Sequence, residues 1–349
     1  MKTTFVSTIA LTESTRLTLL KAQAKLAGAQ KEMTTGRYSD VGLSIGFRSS
    51  ETVSLRQDHA RLSTIKDSNA LVATRLDSTQ AVLQSISDDA EAFLSAVNAS
   101  RESESGPSVI QVEAKTRLEA LINGINTEIG GAYIFAGINV NSEPMAQYLG
   151  NPPSAGRQAV ATAFFDTFGI TQSDPAVANI SAADMKAFLD GPFADLTADP
   201  GWSANWSMAS DQNIGSRIST NEMIESSTNA NIQPLRDLVR AYTMMSDLGV
   251  DKLDDAAFRV VIDEAAKLIN GAGAKLTQVR ANLGTAQERV ATATERISIQ
   301  VDIFSKHIMN LEGVDPYEAS TRVTALMTQI EVSYALTARM QNMSLLNHL

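Results

Sequence analysis

From Leu62 onward, alternate steps of three and four residues fall on Leu62, Ile65, Asn69, Val72, Leu76, Thr79, Leu83, Ile86, Ala90, Phe93 and Val97. Nine of these eleven positions are apolar and the register never slips. That is a heptad seam, which winds two or more helices around one another. Asn69 and Thr79 interrupt it, and a polar seam residue fixes register or partner number. A longer seam runs through Phe258, Ile262, Ala265, Ile269, Ala272, Leu276, Val279, Leu283, Ala286, Val290, Ala293, Ile297, Gln300, Phe304, His307 and Leu311, fourteen of the sixteen being apolar. It predicts a helical rod of roughly 80 Å at ~1.5 Å per residue. Its alanines let helices approach closely. The seam residues expected to carry most of the contact are Leu62, Leu76, Leu83, Phe93, Leu276, Leu283, Ile297 and Phe304.

Ser103–Ser108, which contains Gly106-Pro107, breaks the first seam. A shorter helix is expected over about 109–129, with Ala114, Leu118, Leu121 and Ile125 on one face and Gly130-Gly131 as its stop. Between 138 and 234 helical periodicity fades except at Ala182–Leu189, and turn signals such as Asn151-Pro152-Pro153 and Asp190-Gly191-Pro192 recur. Both tryptophans, Trp202 and Trp206, and five of the eleven phenylalanines lie there. This stretch predicts a small β-rich or mixed domain inserted into the helices.

The ends carry stripes of their own. Leu19, Ala22, Leu26, Ala29 and Met33 form one; Ala319, Val323, Leu326, Ile330 and Met340 form another, with Val332, Leu336, Met343 and Leu346 beside it. Apolar surface on more than one face of a terminal helix is hard to bury within one monomer. Leu19, Leu26, Met33, Val323, Leu326, Ile330, Leu336, Met340 and Leu346 are therefore expected at an assembly interface. The expected fold is mainly α: a long antiparallel coiled-coil or helical-bundle rod built from both chain ends. Residues 1–50 and 312–349 would be assembly helices, 51–137 and 235–311 the rod, and 138–234 the insertion.

Composition narrows the classes of function. A net charge of −10 and a pI near 4.9 oppose nonspecific nucleic-acid binding. The charge is uneven: residues 1–66 hold ten Lys/Arg against five Asp/Glu, whereas 138–234 hold three against ten. The basic residues are dispersed, which suits a solvated or partner-facing helix surface. With no cysteine there is neither a disulfide framework nor a thiolate metal site. No stretch approaches the ~18 apolar residues of a membrane span. Met1–Glu13 lacks the basic lead and apolar run of a cleavable secretory signal, so export would use a route that does not cleave one.

Candidate chemistry is sparse. His59, His307 and His348 have no metal-ligand spacing, and His307 falls on the seam. Asp88-Asp89 with Glu91, and Asp254-Asp255, are paired carboxylates of the kind acid–base catalysis needs, but on helices they point apart and suit a solvated face. Gly271-Ala272-Gly273-Ala274-Lys275-Leu276 lacks the Gly-Lys-Ser/Thr ending of a phosphate loop and lies inside the heptads. Trp202 and Trp206 fit either a sugar platform or a small core. No enzyme, cofactor or metal is expected.

Long seams at both ends, an inserted middle and apolar termini resemble the bacterial flagellin family, over roughly 1–137 and 235–349. Gly131-Ala132-Tyr133-Ile134-Phe135-Ala136-Gly137 is similar to the Gly-x-Tyr-Leu-Phe-Ala-Gly stretch of the family's hook–filament junction members. The closing run, Tyr334-Ala335-Leu336-Thr337-Ala338-Arg339-Met340 through Leu349, resembles their terminus. Gly36-Arg37-Tyr38-Ser39-Asp40 stands where many members carry an Asp-Asp-Pro loop, which leaves the local loop contacts open. The resemblance implies a structural, extracellular subunit of the flagellum at the hook–filament junction. It implies a ring of identical copies, with flagellin and the other junction protein as neighbours. A cytosolic export chaperone would escort the chain to the flagellar type III channel. A filament flagellin is the alternative reading, and a cytosolic coiled-coil adaptor a more distant one.

Overall fold

The computed structural model describes residues 8–101 and 106–346, with the side chains of these except 8, 9, 11, 12 and 340–346. The chain is mainly helical and forms two compact units, one of residues 1–64 with 296–349 and the other of residues 65–295. Two helices supply residues to both: α3, Ser49–Ser100, of 52 residues, and α10, Asp255–Glu312, of 58. Helix α1 is Thr8–Thr35, α2 Val41–Ile45 and α11 Pro316–Leu346.

The larger unit holds one continuous hydrophobic core, whose buried members run from Val72 to Ala293. Leu76, Leu83, Phe93 and Val97 of α3 and Leu276, Leu283 and Val290 of α10 are buried at their seam positions. The two helices run antiparallel here. Asn69 Nδ2 donates to Thr294 Oγ1 at 3.0 Å, Gln80 Nε2 to the Arg280 carbonyl at 2.7 Å, and Gln287 Nε2 to the Asp77 carboxylate at 2.6 Å. Asn69, buried in the seam, also donates to the Ile218 carbonyl at 3.0 Å, so it binds both its partner helix and the insertion. Thr79 donates its hydroxyl back to the Arg75 carbonyl, which costs the seam nothing.

Against these helices pack α4 (Gly106–Ile125) and α9 (Gln233–Asp247), which also lie on each other. Twelve of the fifteen residues of α9 are buried, a helix enclosed on nearly all sides. Its buried polar groups mostly find partners: Asp237 accepts from Lys275 Nζ at 2.8 Å and from Gln233 Nε2 at 2.7 Å. Phe93 meets the Tyr242 ring edge-on, centroids 5.0 Å apart. After α4 the chain turns back through β1 (Glu128–Ile129) and β2 (Ala132–Tyr133), with Ile129 opposite Ala132. Gly130 and Gly131 both have positive φ, 58° and 84°, as a two-residue hairpin turn requires. The expected helix stop is therefore a hairpin turn, and the helix has already ended at Ile125.

Residues 138–234 take the mixed form, with short helices dominating: α5 Ala155–Phe168, α6 Ala182–Asp190, α7 Pro192–Asp195 and α8 Gly201–Asn205. One antiparallel ribbon, β3 (Gly215–Arg217) with β4 (Met223–Glu225), completes it. The starts of α5 and α6 are capped by side chains, Ser154 accepting from Arg157 N and Ser181 from Asp184 N. The core of this region is an aromatic stack. Trp206 lies between Tyr148 at 5.3 Å and Trp202 at 6.0 Å, and the Arg236 guanidinium sits 5.3 Å from the Trp202 ring. Gly156 abuts Trp206 so closely that a Cβ would stand 3.0 Å from the indole. Beside the stack, Tyr148 Oη donates to Asp247 at 2.8 Å. Burial holds the Asp247 carboxyl above the ordinary carboxylate range, with the Tyr148 hydroxyl and Arg157 opposing that shift.

The smaller unit is thin. Among its described residues the buried apolar side chains are Ala22, Ala29, Leu62, Ile297, Ile308, Ala319 and Val323. Helices α1 and α11 lie side by side, joined where Gln23 Nε2 donates to Tyr334 Oη at 2.9 Å and Arg322 pairs with Glu32 at 2.8 Å. The connections flanking them pair in turn: Tyr38 N donates to the Glu312 carbonyl and Val314 N to the Gly36 carbonyl, both at 3.0 Å. The Glu312 carboxylate is fully buried and held by Arg56, with Arg37 3.9 Å away. Glu32 accepts from both the amide (3.1 Å) and the hydroxyl (3.2 Å) of Ser39. Two glutamates, each neutralised by arginine, thus fix the loop Gly36–Asp40 that the sequence left without an assigned contact.

Three outcomes follow from this packing. Gly271 and Gly273 sit inside α10 with open space where a Cβ would go, so each Gly→Ala should stabilise by about 1 kcal/mol in urea unfolding followed by circular dichroism. Arg56→Met should leave the buried Glu312 carboxylate short of its main partner and cost roughly 1–3 kcal/mol, seen as faster hydrogen exchange at Tyr38 and Val314. Asp247 binds its proton more tightly folded than unfolded. Its contribution to stability should therefore fall as pH rises from the ordinary carboxylate value through its raised one. Asp247→Asn should flatten that part of the stability–pH curve.

Candidate assembly surface

The residues expected to mediate assembly divide by burial. Val323 is buried; Leu19, Leu26, Leu326 and Ile330 are half-buried; Met33 and Leu336 are exposed. Met340 and Leu346 belong to α11, but their side chains lie outside the described residues. Facing one another, α1 and α11 cover the inner part of each stripe and leave the rest uncovered. Leu17, Leu20, Met33, Met327, Val332, Tyr334 and Leu336 are all about half exposed.

Sequence reasoning missed the most exposed apolar residues of this unit. Leu43 is 86%, Phe47 91% and Tyr317 86% exposed. Leu43 belongs to α2, Phe47 to the single 3-10 turn that follows it, and neither element buries any residue. The signal was present in Val41-Gly-Leu-Ser-Ile-Gly-Phe47, where four apolar residues alternate with Gly or Ser, a spacing that does not match the helical turns the segment adopts. Asp40 caps α2 by accepting from Leu43 N at 2.9 Å, so the segment is held in place while its apolar side chains point outward.

The seam residues also separate. Leu62, Leu76, Leu83, Phe93, Leu276, Leu283 and Ile297 are buried, and Phe304 is half-buried. Beyond Ile297 the expected seam positions hold only in part. Phe304 and Leu311 are half-buried, whereas Gln300 and His307 are exposed and Val301, Ile308 and Glu312 are covered instead. The covered face shifts there by about one position toward the next residue. His307 is therefore not a seam residue.

The remaining candidates for chemistry have structural partners. Asp89 pairs with Arg117, which also binds Glu113 at 2.9 Å. Asp254 caps α10, accepting from Ala257 N at 2.7 Å. Gly271–Leu276 is continuous helix, and both tryptophans are buried in the stack, Trp202 donating through Nε1 to Asn231 at 2.8 Å. His59 Nε2 lies 3.0 Å from Ser305 Oγ. Among the described residues no helix is long and apolar enough to cross a membrane, and no group of three or more His, Asp or Glu is placed to hold a metal ion.

The segment Gly131–Gly137 lies inside the larger unit. Ile134, Phe135 and Ala136 are buried. The Phe135 carbonyl accepts from Ala230 N at 2.8 Å, and the Ala136 carbonyl from Ser210 N at 2.9 Å. Gly137 adopts φ +63°, and a Cβ there would meet the Ser210 carbonyl at 2.4 Å. The segment is a strap that holds the insertion to the helices; its aromatic side chain Phe135 is core.

A model of the bacterial flagellin N-terminal helical region matches residues 6–140, and one of the flagellin C-terminal helical region matches residues 266–349. No curated protein matches the chain. A solved structure provisionally described as a flagellar hook-associated protein from Vibrio parahaemolyticus superposes with a TM-score of 0.52 at 10% identity, covering 76% of this chain and 97% of that one. At that identity the likeness is one of fold. The matched regions together span well over half of the chain and take in α1, most of α10 and all of α11, whose faces stay partly uncovered; the chain belongs to the bacterial flagellin family.

Proposed function

We propose that the chain is a structural subunit of the flagellum at the hook–filament junction, assembling through the terminal helices as a ring of identical copies. The observation that carries the assembly reading is the uncovered apolar surface of the smaller unit, from Leu43 and Phe47 to Leu336. A family that polymerises supplies neighbours to bury it. Leu19, Leu26, Met33, Val323, Leu326, Ile330, Leu336, Met340 and Leu346 would divide between the α1–α11 contact and contacts to those neighbours. Flagellin and the other junction protein would be the flanking partners. The chain would reach them through the flagellar export channel, escorted by a chaperone that shields the terminal helix.

The junction position, against that of a filament flagellin, is supported by the sequence of Gly131–Gly137 and by the fold shared with the Vibrio protein. Ile134–Gly137 of that strap is buried, so its bearing on position is one of sequence kinship. Residues 1–50 with 312–349 would act in assembly and 51–137 with 235–311 in support, while 138–234 would face outward as the variable part.

Gold-labelled antibody on purified flagella should mark a single band between hook and filament; label along the whole filament would make the chain a filament flagellin. Deleting residues 340–349 removes Met340, Met343, Leu345 and Leu346, each worth roughly 1.5–3 kcal/mol when buried. The larger unit does not include them, so the monomer should keep its melting temperature and still be exported. Cells should then bear hooks with few filaments and shed flagellin; normal filaments would remove the terminal helix from the assembly mechanism.

A further inference from the structure

Within the smaller unit, a cleft of about 710 Å³ opens where the ends of α1 and α10 meet the early part of α3. Its polar lining includes Arg37, Arg56 and His59, its apolar lining Ile308, Met309 and Val314. The two guanidiniums share a single carboxylate. Glu312 is fully buried and engages both oxygens with Arg56, Oε1 accepting from Nε at 2.8 Å and Oε2 from Nη2. Arg37 Nη1 stands 3.9 Å from that same Oε2, beyond hydrogen-bond reach, and among the described residues its guanidinium makes no hydrogen bond. Both side chains remain open to an incoming group, Arg37 at 52% and Arg56 at 48% exposure. Among the described residues no Asp or Glu lines the cleft.

The lining selects the chemistry of the occupant. Two arginines that converge on one carboxylate oxygen leave an unanswered positive charge, and a planar guanidinium with free donors matches a second carboxylate. A lysine or arginine would be repelled. A free inorganic anion would occupy a small part of the cleft and leave Met309, 67% exposed, uncovered, whereas a carboxylate carried on a polypeptide brings apolar groups with it. Charge identifies the source. The larger unit holds 16 Lys/Arg against 29 Asp/Glu, a net −13, whereas the smaller unit holds 13 against 10, a net +3. Copies of one chain therefore offer each other complementary surfaces. We propose that the cleft at Arg37 and Arg56 receives an aspartate or glutamate side chain from the larger unit of a second copy of this chain. This rests on the reading that copies assemble with one another, and adds where one copy grips the next. Glu312 positions Arg56 at the cleft without spending Arg37.

Arg37→Lys places a primary amine at the cleft. A water-soluble carbodiimide activates a carboxylate, the amine attacks it, an amide bond forms and the carbodiimide departs as a urea, so only a carboxylate in direct contact is captured. On flagella isolated from cells carrying this variant, the treatment should give a covalent dimer. Mass spectrometry should find residue 37 joined to an Asp or Glu within 65–295 of the other copy, a product absent from treated wild type. Coupling confined to Glu312 of the same chain, to the smaller unit of another copy or to a different protein would overturn the proposal. Arg37→Gln removes the charge without removing a hydrogen bond of the monomer. Its melting temperature should stay unchanged while copies incorporated per flagellum drop several-fold. Unchanged incorporation of Arg37→Gln would sink the cleft contact and leave self-assembly intact, whereas a wild-type chain absent from flagella would sink both.

Discussion

The larger unit depends on the burial of α9. Two long helices zipped along Leu76–Phe93 and Ile269–Val290 can cover only the faces they turn toward each other. Helix α9, with α4 beside it, closes the other side and joins the seam to the aromatic stack of the insertion. Most of its polar residues are paired, although the Tyr242 and Thr243 hydroxyls are buried without a hydrogen-bond partner. Arg236 spans the Trp202 ring, the Asp199 carboxylate and the Asn231 carbonyl, and Asp237 accepts from Lys275 and Gln233. Left unpaired, such buried charges would cost several kcal/mol each; paired, they set which way α9 faces. Among its described residues the smaller unit has no such inner helix, and its apolar residues stay half covered.

What was legible in the sequence was whatever repeats. Leu62 to Val97 and Phe258 to Ile297 announced themselves by a period held over many turns. The register after Ile297 was not legible, because Gln300, Phe304 and His307 continue the count on paper while the burial moves to Val301 and Ile308. A heptad count contains no term for where a supercoil relaxes. Residues 235–247 were assigned to the rod, but their burial on nearly all sides was not legible. Arg236 and Asp237 fit a buried helix only because Asp199 and Lys275, far away in sequence, pair with them.

The insertion shows a third kind of limit. Its turn signals were real, at Pro152-Pro153 and Gly191-Pro192, but they separate helices of four to fourteen residues, too short to display a period. Ser154 and Ser181 stood at the starts of α5 and α6 as caps, and capping read alongside the turns points to helices where composition suggests strands. Gly130-Gly131 was correctly seen as a boundary and misread as to kind: paired positive φ angles make a hairpin. At the assembly surface the stripes on α1 and α11 could be read from spacing, whereas Leu43 and Phe47 lie in a segment whose exposure only tertiary structure reveals.

The strap at Gly131–Gly137 carries one more implication. It grips the insertion through the carbonyls of Phe135 and Ala136, which accept from the main-chain amides of Ala230 and Ser210, and through a glycine that lets the Ser210 carbonyl come close. Main-chain contacts do not register which side chains lie between them. Such a clasp is indifferent to the lettering of the loop it holds, and it asks only that amide groups arrive at the right places. Exposed residues between 140 and 209 can therefore be rewritten without loosening the clasp, provided that Tyr148, Trp202 and Trp206 keep the core and the side-chain ties they share with α9.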